Sequence, residues 1–374
     1  MSDASITARA LRSTVTDGGE VVLTIDEVEI GQPGPNEVVL RVEASPINPS
    51  DLGMLLAGGD VTTATAADGA TRLRLPDGAT TALAGRLGQP MPVGNEGAGE
   101  VVAAGESDEA QALLGRVVAA VPGGMYATHR VASLDQCLVV PDGTDPRDAA
   151  SCFVNPLTAL GMTETMRREG HTALVHTAAA SNLGQMLVKI CADDGIELVN
   201  IVRRPAQAEL LRSLGATHVV DSSSDDFRDA LTEAIRTTGA TIAFDATGGG
   251  DLASSILSAM EAAQGGAGVY SRYGSTTHKQ VYIYGGLDRS PTVLHRSYGM
   301  AWSIGGWLLT PFLVAVGRER GAELRQRVAD ELDTTFASSY AETLSLDQVV
   351  DPEHMATYAR MATGAKALVA PQGA

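Results

Sequence analysis

Residues 172–195 read TALVHTAAASNLGQMLVKICADDG, and this stretch decides the fold. It begins with an apolar run of strand length and continues with apolar residues at helical spacing, which are Leu183, Met186, Leu187, Ile190 and Cys191. Gly195 is suited to end the helix, because glycine readily adopts the left-handed backbone of a C-terminal cap. The stretch therefore predicts a strand, a tight turn and a helix.

The same alternation of strand and helix continues towards the C-terminus. The predicted strands are ELVNIV, THVVD, TIAFDAT and QVYIYGG, and the predicted helices span residues 205–214, 227–236 and 252–263. Such alternation is typical of a doubly wound parallel sheet. Upstream, residues 21–141 contain short valine-rich runs separated by Gly, Pro and Asn, which predict an irregular all-β domain.

Composition and charge restrict the class of partner. The 374 residues are 44% hydrophobic and 19% charged, as expected for a globular chain with two packed cores. A formal net charge of -18 opposes binding to nucleic-acid phosphates and to anionic lipid surfaces, which require a surplus of Lys and Arg. We therefore expect a small-molecule partner, with no nucleic acid and no membrane.

The three cysteines, Cys137, Cys152 and Cys191, are far apart and form no CxxC motif. They predict neither a disulfide framework nor a cysteine-rich zinc lobe. The first residues, MSDASITARALRS, lack the apolar core of a secretory signal. A reducing, cytoplasmic location is expected.

One uncharged stretch, residues 297–317, is long enough to span a bilayer. Its four glycines and Pro311 favour a buried strand followed by a helix. A membrane span is the alternative, since glycine and proline are tolerated in spanning helices.

Residues 60–92 are dominated by Ala, Thr, Gly and Asp, and DGAT occurs twice, at Asp68 and Asp77. We interpret the segment as a surface insertion. A hairpin or flap at the mouth of a pocket is the alternative, because long loops often act as lids.

The turn between the first predicted strand and its helix is a candidate dinucleotide site. A pyrophosphate binds where a helix begins, because unpaired N–H groups and the helix dipole point at the anion. Compared with GxGxxG, the sequence AASNLG has Ala179 and Ser181 in place of the first two glycines and keeps Gly184. Ser181 and Asn182 add side-chain donors for phosphate, and an ordinary strand–helix turn is the alternative.

Arg203 and Arg204 follow the second predicted strand, where an NAD site usually has an acidic residue for the adenosine ribose. Two cations at that place suit the additional phosphate of NADPH. A solvated helix start is the alternative, although cations oppose the dipole at a helix N-terminus. The sequence predicts NADPH as the cofactor.

Four separated motifs carry a family resemblance. They are INPSD (47–51), GNEG (94–97), NPLTA (155–159) and YGGL (284–287). The chain resembles the medium-chain dehydrogenase/reductase superfamily and is most similar to the zinc-independent, mitochondrial-type 2-enoyl thioester reductases and to quinone oxidoreductases. The resemblance implies an α/β fold, with a GroES-like irregular β-barrel domain (1–150 and 325–374) and a Rossmann NADPH-binding domain (151–324). It also implies a homodimer.

Further matches lie at SNLGQ (181–185), GGWL (305–308) and GAKALV around Lys366. In the family these segments line the NADPH cleft. The resemblance therefore implies cofactor contacts at Asn155, Ser181, Asn182, Leu183, Gly184, Arg203, Arg204, Tyr284, Gly285, Gly286, Leu287, Trp307, Leu308 and Lys366.

Zinc-dependent members of the superfamily hold the metal with three protein ligands, typically Cys, His and a further Cys or Asp. The resemblance places Asn48, Asn95 and Asn155 at those positions. Neutral amides are poor zinc ligands, and none of the seven histidines forms a close pair at ligand spacing, so no metal is expected. An activated C=C bond or a quinone is then the expected acceptor, since hydrogen-bond donors hold the charge that develops on it.

The resemblance fails at the proton donor. Enoyl thioester reductases have a tyrosine shortly after INPSD, whereas this chain has none before Tyr126. Three options remain open, which are water, a tyrosine from elsewhere such as Tyr126 or Tyr273, and an acceptor that needs no protein acid. No catalytic residue is assigned, and Tyr270 and Tyr273 are alternatively plain surface residues.

Asn48 and Asp51 are the predicted pocket-lining residues, because INPSD faces the cofactor in the family. A helix or turn cap is an equal alternative for Asp51. The resulting hypothesis is an NADPH-dependent reductase of an enoyl thioester, an enone or a quinone. The alternative is a non-catalytic dinucleotide-binding sensor or structural protein, which the missing tyrosine supports.

Replacing Arg203 and Arg204 together by alanine tests the cofactor prediction. We expect NADPH binding to weaken far more than NADH binding, because only NADPH carries the additional phosphate. Titration of both cofactors against the wild type and the double variant gives the comparison. An equal loss for both cofactors would contradict the phosphate contact.

Overall fold

The computed structural model describes residues 5–264, 271–364 and 366–373. The chain divides into two compact units, the first made of Met1–Val154 with Arg325–Ala374 and the second of Asn155–Leu324. The sequence analysis places the boundaries between the two domains after residues 150 and 324. The boundaries between the two compact units lie after Val154 and Leu324.

Strands and helices follow one another in short segments. The strands are β1 (Ile6–Val15), β2 (Glu20–Ile30), β3 (Glu37–Pro46), β4 (Asp60–Ala67), β5 (Ala70–Arg74), β6 (Met91–Pro92), β7 (Gly97–Ala104), β8 (Val117–Ala120), β9 (His129–Ser133), β10 (Cys137–Val139), β11 (Ala173–His176), β12 (Glu197–Val202), β13 (His218–Asp221), β14 (Ile242–Asp245), β15 (Gly248–Gly250), β16 (Lys279–Ile283), β17 (Asp288–Thr292), β18 (Trp302–Gly306), β19 (Glu342–Leu344) and β20 (Ala367–Val369). The α-helices are α1 (Pro49–Leu56), α2 (Ala79–Ala82), α3 (Asp108–Gln111), α4 (Pro146–Ala149), α5 (Val154–Arg168), α6 (Asn182–Asp194), α7 (Pro205–Ser213), α8 (Phe227–Thr238), α9 (Leu252–Gln264), α10 (Leu309–Val316), α11 (Arg318–Asp330), α12 (Leu346–Val349) and α13 (Pro352–Tyr358). Short 3-10 helices span Ala84–Arg86 and Leu134–Gln136.

The first unit is built on two mostly antiparallel sheets. One has the order β4-β5-β2-β1-β6, and the other has the order β10-β8-β7-β3-β20-β19 with β9 also paired to β3. C-terminal residues complete the core, since Val349 and Met355 are buried in the same cluster as Leu23, Leu55 and Leu73. This is the irregular β domain that the valine-rich runs predict.

The insertion at residues 60–92 begins as a β-hairpin. Its turn is formed by Asp68 and Gly69, which both have positive φ, 52° and 74°. An Asp-Gly pair is favoured in two-residue hairpin turns because it tolerates this backbone. β5 pairs with β2, so the hairpin extends the five-stranded sheet. The hairpin alternative is confirmed for this part, and a role as a flap stays a prediction.

The second unit contains a six-stranded sheet in which all strands are parallel. Its order is β13-β12-β11-β14-β16-β18, so the chain reverses its direction of travel across the sheet beside β11. This is the arrangement of a Rossmann domain. The doubly wound sheet is confirmed, and α7, α8 and α9 begin at the residues that the sequence predicts.

The uncharged residues 297–317 include β18, at the edge of this sheet, and α10, which is eight residues long. The predicted strand followed by a helix is confirmed. Within the described residues, no helix combines the length and the apolar character needed to cross a membrane.

Gly99 tests the close pairing of β3 and β7. A Cβ at this position would lie 2.0 Å from the carbonyl oxygen of Arg41, a backbone atom that has no freedom to move alone. We expect Gly99→Ala to lower the free energy of unfolding by about 1–3 kcal/mol, as overpacking does. Urea denaturation gives the measurement.

The matched control is Gly53→Ala in α1, where a Cβ meets nothing within 4 Å. We expect that change to be neutral or to stabilise by about 0.5–1 kcal/mol, because alanine favours a helix. Equal stabilities of the two variants would contradict the steric explanation.

Candidate functional site

The turn between β11 and α6 is tightly packed. Ala178 has a left-handed backbone with a φ of 50°. Ser181 is the N-cap of α6, and its Oγ accepts a hydrogen bond from the N–H of Gly184 at 3.1 Å. A Cβ on Gly184 would lie 2.0 Å from the carbonyl oxygen of Ala179. The one glycine that this turn keeps from the GxGxxG pattern is therefore the one that the packing requires.

Most of the predicted cofactor residues of the second unit share one edge of its sheet. Parallel strands place their carboxyl ends together, and doubly wound folds bind ligands there. β11 leads into the turn before α6, β12 into Arg203 and Arg204, β16 into residues 284–287, and β18 into Trp307 and Leu308. The sheet thus brings four separate stretches of sequence to the ligand-binding edge.

The donors at this edge suit a dinucleotide. α6 has 13 residues and begins at the turn, so the positive end of its dipole lies there. Arg203 and Arg204 are exposed, and Arg204 is the N-cap of α7. A cation at a helix N-terminus is unfavourable unless an anion binds beside it. These residues therefore fit an anionic cofactor with an additional phosphate.

A buried network lies behind the same edge. The Nε2 atom of His176 and the Oη atom of Tyr284 are 2.7 Å apart, and their rings are stacked. Burial lowers the pKa of His176 to about 3, so the imidazole stays neutral. Thr177 Oγ1 donates to Asp245 Oδ1 at 2.7 Å and accepts from the N–H of Ala246 at 2.8 Å. These bonds fix the ends of β11 and β14 and the start of the 284–287 loop.

The other predicted contacts of the second unit differ in burial. Trp307 Nε1 donates to Thr165 Oγ1 at 3.0 Å. Leu287 and Leu308 are exposed. Asn155 lies in the first turn of α5 and is buried. A contact with the cofactor stays a prediction for Asn155, Leu287, Trp307 and Leu308.

The first unit holds a buried polar cluster around Glu96. Its Oε1 accepts a hydrogen bond from Asn48 Nδ2 at 2.8 Å, and its Oε2 accepts from the N–H groups of Phe153 at 2.8 Å and Val154 at 3.0 Å. Glu96 has no exposed surface. One carboxylate therefore joins the start of α1 to the end of the segment that closes the N-terminal part of the first unit.

Asp51 caps α1 and also fixes the turn at Asn95. Its Oδ2 accepts from the N–H of Asn48 at 2.9 Å, and its Oδ1 accepts from the N–H of Asn95 at 2.8 Å. Burial raises the pKa of Asp51 to about 7, although the two N–H donors oppose the rise. The cap role of Asp51 is confirmed. A pocket-lining role for Asn48 and Asp51, which are both 1% exposed, stays a prediction.

Lys366 lies beside the same cluster in the first unit. Its Nζ donates to Ser151 Oγ at 2.7 Å, and Ser151 Oγ is 2.8 Å from Tyr340 Oη. Burial lowers the pKa of Lys366 to about 8, while Glu96 and Asp51 act in the opposite direction. The ammonium group therefore begins to lose its proton close to neutral pH.

The tyrosines considered as proton donors lie in unfavourable places. Tyr126 is fully buried, its Oη donates to the carbonyl oxygen of Pro46 at 3.1 Å, and burial raises its pKa well above the usual value. Tyr273 is 66% exposed on the second unit. Tyr270 lies outside the described residues. The tyrosine that the structure connects to Lys366 is Tyr340, which the sequence analysis does not single out.

Two of the asparagines at the expected zinc-ligand positions use their amide groups as donors. Asn48 Nδ2 donates to Glu96, and Asn95 Nδ2 donates to Ser50 Oγ at 3.1 Å. Asn155 belongs to the second unit. In the part of the chain that the structure describes, no group of three or more His, Cys, Asp or Glu is arranged to hold a metal ion.

Comparison with known sequences connects the chain to reductases. A family model described as zinc-binding dehydrogenase matches residues 183–296. The mitochondrial enoyl-(acyl-carrier-protein) reductase of Xenopus tropicalis is 33% identical over 207 residues, which are 53% of this chain and 52% of the relative. The chain thus spans about half the length of the curated relatives that it matches.

Two solved structures match nearly the whole chain. A Mesorhizobium loti protein described as an NADPH:quinone reductase is 25% identical, with a TM-score of 0.74, and the match covers 99% of this chain and 100% of that one. The complex of Etr1p with NADP and crotonyl-CoA is 21% identical, with a TM-score of 0.66, and the match covers 98% and 100%. The chain is thus similar, in sequence over about half its length and in fold over nearly all of it, to proteins of the medium-chain dehydrogenase/reductase superfamily.

The likeness to these solved structures confirms the expected fold class, a GroES-like domain with a Rossmann domain. Sequence reasoning missed the parts that Glu96, Ser151 and Tyr340 play in the first unit. Glu96 carried a signal, because it lies in GNEG, one of the four motifs that carry the family resemblance. Ser151 and Tyr340 carried none, since neither lies in a recognisable motif.

The raised pKa of Asp51 predicts a pH-dependent stability. Between the ordinary carboxyl value of 3.8 and about 7, folded Asp51 holds a proton that the unfolded chain has lost, so stability falls as pH rises through this window. We expect the free energy of unfolding of the wild type, relative to Asp51→Asn, to fall between pH 5 and pH 7. The slope approaches about 1.4 kcal/mol per pH unit at most.

Urea denaturation of both proteins at pH 5, 6 and 7 measures this difference. The matched control is Asp77→Asn, which removes an exposed carboxyl and should leave the pH dependence unchanged. The amide in Asp51→Asn also loses an acceptor, but that cost is the same at each pH. A difference that does not vary with pH would contradict the buried, titrating carboxyl.

Proposed function

We propose that this protein is an NADPH-dependent oxidoreductase that reduces an activated C=C bond, in an enoyl thioester or an enone, or a quinone. The observation that carries this function is the ligand-binding edge of the second unit, where the turn before α6 lies at the same edge as the two arginines after β12. The enoyl reductase and quinone reductase relatives support the reaction class, and the NADP and crotonyl-CoA bound by Etr1p support the cofactor and the substrate class.

NADPH supplies the hydride when it is bound. The residues of the chain bind the cofactor and orient it. The N-terminus of α6 and Ser181 suit the pyrophosphate, and Arg203 and Arg204 suit the additional phosphate. The hydroxyl of Tyr284, held by His176, fixes the loop after β16 at the same edge. Holding the two reactants in the right geometry lowers the barrier to their reaction.

We further propose that the reaction needs no zinc. The amide groups of Asn48 and Asn95 already donate to Glu96 and Ser50, and an amide oxygen is a weak zinc ligand. Hydrogen-bond donors then hold the charge that develops on the acceptor oxygen. A small-molecule substrate, a homodimer and a cytoplasmic location belong to the same proposal, through the family resemblance and the cysteine usage.

NADPH oxidation with chelator-treated protein tests the function. We expect the NADPH absorbance to fall with crotonyl-CoA, an enone or a benzoquinone, and to fall much more slowly with NADH, because the arginines favour the additional phosphate. The matched control is the variant that carries Arg203→Ala and Arg204→Ala, which should lose most of its preference for NADPH.

Two results would contradict the proposal. Tight NADPH binding without turnover of any acceptor would favour a dinucleotide sensor. Reduction of NADP+ by an alcohol that requires added zinc would establish a metal-dependent alcohol dehydrogenase.

A further inference from the structure

A small cavity lies where the two sheets of the first unit meet. Its volume is about 20 Å³. It is bordered by β1, of the five-stranded sheet, and by β9, which pairs with β3 of the other sheet. The N–H of Leu11 donates to the carbonyl oxygen of Tyr126 at 2.9 Å, and the N–H of Thr128 donates to that of Arg9 at 2.9 Å. Backbone hydrogen bonds therefore join β1 to the segment that leads into β9.

The cavity is lined by cations and by small or apolar residues. Among the described residues, its lining consists of Arg12, His129 and Arg130 together with alanine, leucine, valine, isoleucine, proline and glycine, and it includes no acidic residue. Arg12 lies on β1 and Arg130 on β9, so each sheet contributes one guanidinium group. This local surplus of positive charge is opposite in sign to the net charge of the chain, which is -18.

Arg12 and Arg130 differ in their partners from an arginine on the same strand. Arg9 pairs with Asp347 at 2.8 Å, whereas no ion pair involves Arg12 or Arg130 in the part of the chain that the structure describes. Both side chains are half-buried. Within the same described ranges, the Nε atom of Arg130 is buried and has no hydrogen-bond partner. A buried donor on a charged group is unfavourable unless it finds an acceptor.

The two positive charges also act on each other. Burial lowers the pKa of the Arg130 guanidinium, and the charge of Arg12 lowers that pKa further. Arginine nevertheless keeps its proton in proteins, so deprotonation does not relieve the repulsion. Burial and the charge of Arg41 lower the pKa of His129, which leaves its imidazole neutral at neutral pH. An anion between the two guanidinium groups would offset the repulsion and supply an acceptor.

We propose that this cavity binds a small inorganic anion of the size of chloride, held by Arg12 and Arg130. A volume of about 20 Å³ accommodates about one water-sized species, so a sulfate or phosphate ion would leave most of its oxygens outside. The bound ion joins β1 to β9 and thereby cross-links the two sheets of the first unit. The site goes beyond the proposed reductase function, in which none of its residues has a role.

A chloride titration of stability gives the first test. Sodium chloride replaces sodium gluconate at constant ionic strength, so that general screening stays the same. We expect the melting temperature of the wild type to rise by about 2–4 °C as chloride saturates the site, because an ion that binds only the folded chain stabilises it. Sodium bromide should have the same effect. A melting temperature that does not respond to either halide would overturn the proposal.

Variants of the two arginines show whether the response comes from this cavity. We expect Arg130→Gln to lose the chloride response, while its melting temperature in gluconate stays at or above that of the wild type, because the repulsion is gone. Arg12→Gln should behave in the same way and replaces Arg130→Gln if that variant does not fold. The matched control is Arg74→Gln, which removes an exposed cation from β5 of the same unit and should keep the full response.

Two results with these variants would contradict the site. A chloride response that survives in both Arg12→Gln and Arg130→Gln would place the ion elsewhere. A response that Arg74→Gln loses to the same extent would show general screening of positive charge.

Anomalous diffraction locates the ion directly. Crystals of the wild type soaked in sodium bromide should show an anomalous peak between Arg12 and Arg130, and crystals of Arg130→Gln should show none there. Bromide peaks at exposed side chains only would overturn the site, and sulfate in the cavity when both ions are supplied would overturn its size selection. These measurements need no turnover, so their outcome is independent of the outcome for the reductase function.

Discussion

The buried carboxylate of Glu96 is the constraint on which the first unit depends. It is fully removed from solvent and accepts three hydrogen bonds, from the amide of Asn48 and from the N–H groups of Phe153 and Val154. A buried charge without such partners lowers the stability of the fold by several kcal/mol. The segments that carry the three donors must therefore pack beside Glu96. The same carboxylate attracts the ammonium of Lys366, which ties the C-terminal part of the unit to the cluster.

The two units place their charged side chains in different surroundings. In the second unit, Arg203 and Arg204 are exposed at the ligand-binding edge, where a permanent charge can hold a phosphate. In the first unit, Asp51 and Lys366 are sheltered, and burial moves the pKa of each towards neutrality.

Much of the fold followed from local patterns. The β11–turn–α6 unit was predictable because helical spacing, a capping serine and a terminal glycine all act within one or two turns of chain. The hairpin at Asp68 and Gly69 was weighed as an alternative, since an Asp-Gly pair is a strong local signal. A helix cap at Asp51 was also one of the two roles that the sequence suggested. A carboxylate three residues after Asn48 can accept from the N–H group of Asn48 through local geometry alone.

The sequence by itself determined the alternation of strands and helices, the small-residue turn and the paired arginines. Each of these depends on residue type and short spacing, which a sequence displays directly. Only the tertiary structure decided that Lys366 meets Ser151, 215 residues away, and that Ser151 meets Tyr340, 189 residues away. The protonation behaviour of Lys366 and Asp51 was also decided there, because burial removes water from a group only after distant segments have packed around it.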